Sequence, residues 1–171
     1  VFVRPPPCFG TNDIVLEPYC RYHNHIHGLA VHSMFSGLYG MIDIVGSDDH
    51  ITTIPEVAEA TEVFLMLGES TLVPETTDPK FAFPVVFDFS WRHVTNGHYG
   101  DDTVFTFKTG ETVLFRAASA SIEPPMPLSI DDHTMLLPIA FDGFPVTELT
   151  PTDIVTIHAG SRAEFMVKFD T

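Results

Sequence analysis

Ala163-Glu164-Phe165-Met166-Val167-Lys168-Phe169 decides the fold class of this chain. Phe165, Val167 and Phe169 alternate with Glu164, Met166 and Lys168. Neighbouring side chains on a strand point to opposite faces, so this run reads as a strand with one face toward a core. Outward from it the same pattern recurs. Val63 to Leu67, Val85 to Phe89, Thr103 to Phe107, Thr112 to Ala117, Leu128 to Ile130, Leu136 to Phe141 and Asp153 to Ile157 are short β-branched or aromatic runs. Gly, Pro, Asp or Asn residues separate them. Phe105 and Phe107 face opposite to Val104 and Thr106, so both are expected inside. Asn96-Gly97 and Asp142-Gly143 are tight-turn signals, because two-residue hairpin loops favour residues that tolerate positive φ. Helical periodicity is hard to find. The reading is all-β, an antiparallel sandwich or barrel.

The stretch from Ser47 to Glu62 breaks the pattern with Ser-Asp-Asp-His, paired threonines and a proline. It reads as a connection between two units, giving residues 1–46, a linker at 47–64 and a second unit at 65–171. The first span holds too few strands to bury a core or hide its edges. The second suffices for a complete sandwich. The chain begins at Val1 without a Met, and a processed or excised piece of something longer is the expectation.

Of the 171 residues, 8 are Lys or Arg against 23 Asp or Glu, a net charge of −15. Nucleic acid is excluded as a partner, since that affinity rests on cationic side chains neutralising phosphates. Anionic membrane surfaces are disfavoured for the same reason. No apolar run approaches the length of a membrane span. The two cysteines, Cys8 and Cys20, permit a disulfide, which needs an oxidising compartment. Sequence does not say whether their Cα atoms lie close enough to bridge.

Chemistry concentrates elsewhere. Four of the nine histidines fall within residues 23–32, in Tyr22-His23-Asn24-His25-Ile26-His27 and then His32. On a strand His23, His25 and His27 would stand in one row. Imidazole is the commonest metal-binding side chain, and its nitrogen suits zinc, copper, iron and nickel. A solvated His-rich strand, or histidines bonded to a neighbouring strand, is the competing reading.

Two groups of residues resemble the multicopper oxidases, laccase-like enzymes built from cupredoxin domains. The first is Tyr22-His23-Asn24-His25 followed by Gly37-Leu38-Tyr39-Gly40-Met41-Ile42-Asp43-Ile44-Val45. It is similar to the strand, loop and closing strand that end that family's first domain. The second runs in order through Asn96-Gly97, Gly110 to Arg116, Leu128 to His133, Ile139 to Val146 and Ala159 to Val167, and resembles the family's second domain.

The resemblance implies a cupredoxin-like Greek-key β-sandwich and copper as cofactor. Dioxygen and a small reducing substrate would be its partners, together with the missing cupredoxin domain or domains of the same protein. A secreted or periplasmic location is implied as well. His23 and His25 would each ligate one copper of a coupled pair within a three-copper cluster. Alternate strand residues lie about 6.5 to 7 Å apart, a spacing that serves two ions more naturally than one. The family's other His-x-His pairs and its His-Cys-His are absent, so oxidase activity from this chain alone is not expected. His27 and His32 lie outside the ligand pattern. His133 is expected to be structural, while His50, His93, His98 and His158 are unassigned. A redox-silent metal-binding module is one alternative, with His23, His25 and His27 on a single ion. A nitrite-reductase-like cupredoxin is another, although Asn24, Ser33 and Leu38 stand where that loop's Cys, His and Met belong. A β-sandwich interaction domain with incidental histidines is the third.

Overall fold

The computed structural model of the chain describes residues 19–43, 53–70, 92–122, 125–131 and 134–170. The expected strand Val85 to Phe89 lies outside them. The first stretch forms strand β1 (Tyr19–His23), helix α1 (Ala30–Phe35) and strand β2 (Tyr39–Asp43). A short helix α2 (Pro55–Ala58) then leads into β3 (Thr61–Ser70), which begins inside the stretch read as linker. The remaining strands are β4 (Arg92–Thr95), β5 (His98–Tyr99), β6 (Thr112–Ser119), β7 (Met126–Leu128), β8 (Leu137–Phe141), β9 (Phe144–Pro145), β10 (Val155–Ile157) and β11 (Arg162–Lys168). No helix among the described residues is long and apolar enough to cross a membrane.

A seven-stranded sheet runs in the order β5-β4-β3-β6-β11-β8-β9. Its neighbours are antiparallel except β3 and β6, which pair in parallel. Odd-numbered residues of the central strands, among them Leu65, Leu67, Val113, Phe115, Phe165 and Val167, turn one face toward Met126, Val155 and Ile157 of the β7–β10 pair. That is the sandwich core. Phe115 and Phe165 are register partners whose rings stack at 5.2 Å, adding an aromatic contact to the buried area. The fold is all-β, as the alternation predicts, and is the cupredoxin-like sandwich that the family resemblance implies.

Both turn dipeptides behave as read. Asn96 and Gly97 have φ of 51° and 82°, and Asp142 and Gly143 have 51° and 82°. They close the β4–β5 and β8–β9 hairpins with the left-handed backbone that Asn, Asp and Gly tolerate.

The stretch 103–107 is not a strand, and Phe105 is 40 % exposed. Its backbone leaves a 3₁₀ turn at Gly100–Asp102, and Thr103 Oγ1 donates to the Thr95 carbonyl at 3.2 Å in place of a ladder. Alternation records only which side chains share a face, not whether a neighbouring strand is there to pair. Phe107 is half-buried, stacked on Phe169 at 4.7 Å. β7 ends at Leu128, earlier than the Leu128 to Ile130 run suggests.

The second face of the large sheet is also covered. Tyr19, Met34 and the half-buried Tyr39 and Met41 pack on Met66, Ala118 and Ala120. Val57 of α2 packs on Leu114, Ile139 and Ala140. Within this face sits a charged group that sequence reading had not marked. Arg116 and Glu164 are 3 % and 1 % exposed. The Arg116 Nη1 donates to Glu164 Oε2 at 2.8 Å, and its Nε donates to Glu62. The guanidinium lies 5.6 Å from the centre of the Tyr19 ring. Tyr19 Oη donates to the carbonyls of Ala163 and Ala117 at 3.1 and 3.3 Å. Burial, and then the nearby Glu164 carboxylate, hold that phenol far above the ordinary tyrosine range.

Breaking a buried ion pair strands its partner's charge, so Arg116→Ala should lower unfolding free energy by about 3 to 5 kcal/mol. Glu62→Gln, on the half-exposed arm of the network, should lower it by about 1 kcal/mol or less. Urea denaturation of the two variants tests the contrast.

Candidate metal centre

β1 and β2 form an antiparallel hairpin in which Tyr22 opposes Gly40 and His23 opposes Tyr39. The glycines beneath the tyrosines explain themselves by contact. A Cβ on Gly40 would lie 2.6 Å from Tyr22 Oη, and one on Gly68 of β3 would collide with the Tyr39 ring. Tyr22 therefore lies across β2, while Tyr39 fastens the hairpin to β3.

Residues 19, 21 and 23 share one face of β1. Tyr19 is anchored beside Arg116, as described above. Arg21 Nε donates to the Gly160 carbonyl at 3.2 Å, and a Cβ at Gly160 would approach Arg21 Nη2 to 2.8 Å. Two contacts with the large sheet and its loops thus fix the strand that ends in His23.

The His23 ring is half-buried, with Nδ1 2.8 Å from the Asn24 carbonyl. With the proton on Nδ1, that nitrogen donates and Nε2 keeps a free lone pair, the arrangement that presents histidine to a metal. Burial, then the charge of Arg21, hold His23 below the usual value of 6.5, with His25 adding a smaller push and the Asn24 bond opposing. The neutral imidazole, the form a metal requires, is thereby favoured.

β1 stops at His23 and does not run on to His27. Asn24 is the reason. Its Oδ1 accepts the Ile26 N–H at 2.9 Å and its Nδ2 donates to Ser33 Oγ at 2.7 Å, while Ser33 Oγ donates to the Leu29 carbonyl at 3.0 Å. Asn favours such side-chain-to-backbone turns, so this signal was present in the sequence. His25 and His27 lie exposed on the resulting loop. Successive rings stay close all the same, with centroids 5.6 Å apart from His23 to His25 and 5.5 Å from His25 to His27.

Among the described residues no group of three or more His, Cys, Asp or Glu side chains is placed to hold one ion. The single-ion arrangement on His23, His25 and His27 is therefore not formed. Nor is a nitrite-reductase-like copper loop, for Asn24 and Ser33 are bonded to each other and Leu38 is 61 % exposed. Cys20 is buried and held in a disulfide, which removes it as a thiolate donor. The other cysteine, Cys8, lies outside the described residues. His32 is half-buried on α1, and His93, His98 and His158 are exposed on or beside β4, β5 and β10. His50 and His133 lie outside the described residues.

The multicopper oxidase family profile matches residues 64–171. The chain belongs to the multicopper oxidase family. Solved structures share its fold. A laccase from Pediococcus acidilactici superposes with a TM-score of 0.71 at 18 % identity, over 90 % of this chain and 33 % of its own. The blue copper oxidase from Nitrosomonas europaea gives 0.70 at 19 % identity, over 90 % and 46 %. A multicopper oxidase from Aquifex aeolicus gives 0.64 at 16 %, over 92 % and 35 %. The chain thus spans between a third and a half of the length of these relatives. No curated protein matches it. Family membership implies copper, and the donors at hand fit that metal: an imidazole with Nδ1 satisfied and Nε2 available, beside a second imidazole.

Two outcomes check this geometry. In an NMR titration His23 should deprotonate below the usual 6.5. Its folded value lies under its unfolded one, so its contribution to stability is present at higher pH and fades as pH falls through the folded value. Asn24→Ala should speed exchange of the Ile26 amide by about tenfold, the equivalent of one lost hydrogen bond.

Proposed function

We propose that this chain is part of a laccase-like copper oxidase that passes electrons from a small reducing substrate to dioxygen, with His23 and His25 as two of its copper ligands. The observation that carries the reading is the docked hairpin, which holds a neutral His23 with Nε2 available beside His25, on a chain of the multicopper oxidase family. When bound, copper supplies the one-electron chemistry and the site where dioxygen is reduced. The chain's own residues position donors. Asn24 shapes the loop between the two histidines, and Tyr19 and Arg21 hold the strand that ends in His23.

Residues 1–46 are then the closing part of a first cupredoxin domain, 47–64 the connection and 65–171 the second domain. Further cupredoxin domains of the same protein complete the ligand set. The hairpin unit supports this, because Tyr22, Ile26, Leu29, Val31, Leu38 and Ile42 all stand 40 % or more exposed on it. Six large apolar side chains in so short a segment make a surface that gains by being covered. The disulfide at Cys20 agrees with a secreted or periplasmic protein.

Copper binding is the direct test. Replacing both His23 and His25 with Ala should abolish uptake, while His98→Ala on β5 leaves it intact; equal losses would remove the assignment. A blue copper site needs a thiolate ligand, and Cys20 is tied up as a disulfide. Loaded with copper, the 171-residue chain should therefore show no intense blue absorption and no phenol turnover. Joined to the domains that complete it, it should show both.

A further inference from the structure

The row of imidazoles continues past the two proposed ligands. His27 has no place in the ligand pattern, yet its ring stands 5.5 Å from that of His25, matching the 5.6 Å between His25 and His23. Exposure grades along the row, from half-buried His23 to exposed His25 and His27. The Asn24 turn and Gly28, at φ 85°, bend the chain on either side and bring alternate residues together outside any strand.

We propose that His25 and His27 form a capture site for a copper(I) ion on the exposed loop that follows β1, from which the ion moves inward to His23. This rests on the reading of His23 and His25 as copper ligands. Two imidazole nitrogens are enough to hold copper(I) briefly, since this ion accepts low coordination numbers. A site that must release its ion is served better by two exposed donors than by a closed cage, as in ion conduction, where binding must be weak enough to permit exit. Transfer is an exchange of ligands. The bond from copper to His27 would break as one to His23 Nε2 forms, His25 would stay attached only during the exchange and then release the ion, and the oxidation state would not change. With its proton on Nδ1, donated in a hydrogen bond to the Asn24 carbonyl, His23 presents the Nε2 lone pair to the incoming ion. The net charge of −15 draws cations toward the surface and raises their local concentration.

The test supplies copper(I), under anaerobic conditions, as its complex with a coloured bidentate chelator and follows the loss of colour. The initial rate and final stoichiometry are read separately, with circular dichroism confirming the fold of each variant. His27→Ala should slow uptake by about tenfold, the low end of the effect of losing a group next to a metal's ligands, with final stoichiometry unchanged. His27→Ala loading at the unaltered rate overturns the capture site and leaves the His23 and His25 assignment standing. If the His23→Ala, His25→Ala double variant still takes up copper like the parent, the underlying assignment falls instead.

Discussion

The guanidinium of Arg116 is the constraint around which this structure is arranged. It lies on the central strand of the large sheet, on the face away from the sandwich core, and is almost completely removed from water. A charge in that position is tolerable only when opposite charge and hydrogen bonds surround it. Glu164 supplies them from the adjacent strand and Glu62 from the start of β3, while the Tyr19 ring closes the remaining side. Tyr19 belongs to the hairpin, not to the sandwich. The network therefore joins the hairpin to the large sheet, and it favours one docking arrangement because few others would satisfy it.

From that anchor the chemistry follows by strand geometry. Tyr19, Arg21 and His23 share a face, so fixing the first two aims the third. Tyr39 over Gly68 holds the other strand of the hairpin. Rigid elements position ligands more closely than loops do, and His23 sits at the last rung of such an element. His25 and His27 lie just beyond it, where Asn24 replaces the ladder with a turn. One histidine is thus held by the sheet, and its neighbours are held by a single side chain.

Much of this was legible in the residues. The alternation of β6 and β11 and the two positive-φ turns are local properties, and both appear in the structure; the family blocks from Asn96 to Val167 fall within the residues that the family profile matches. Phe105 was misread because an alternating run looks the same whether or not a strand lies beside it. Period-two geometry was expected to line up the three histidines, whereas β1 ends at His23 and a hydrogen-bonded turn carries His25 and His27.

The sequence by itself determined the class of fold, the places where the chain reverses and the residues able to bind metal, because backbone sterics, side-chain polarity and donor type belong to each residue and its near neighbours. Tertiary structure alone decided which side chains meet. Glu62 reaches Arg116 across 54 positions and Tyr19 reaches Ala163 across 144, and nothing local to either end records the other. It also decided that His23, but neither His25 nor His27, is partly withdrawn from water. That burial depends on the whole hairpin settling against a sheet built from residues far along the chain.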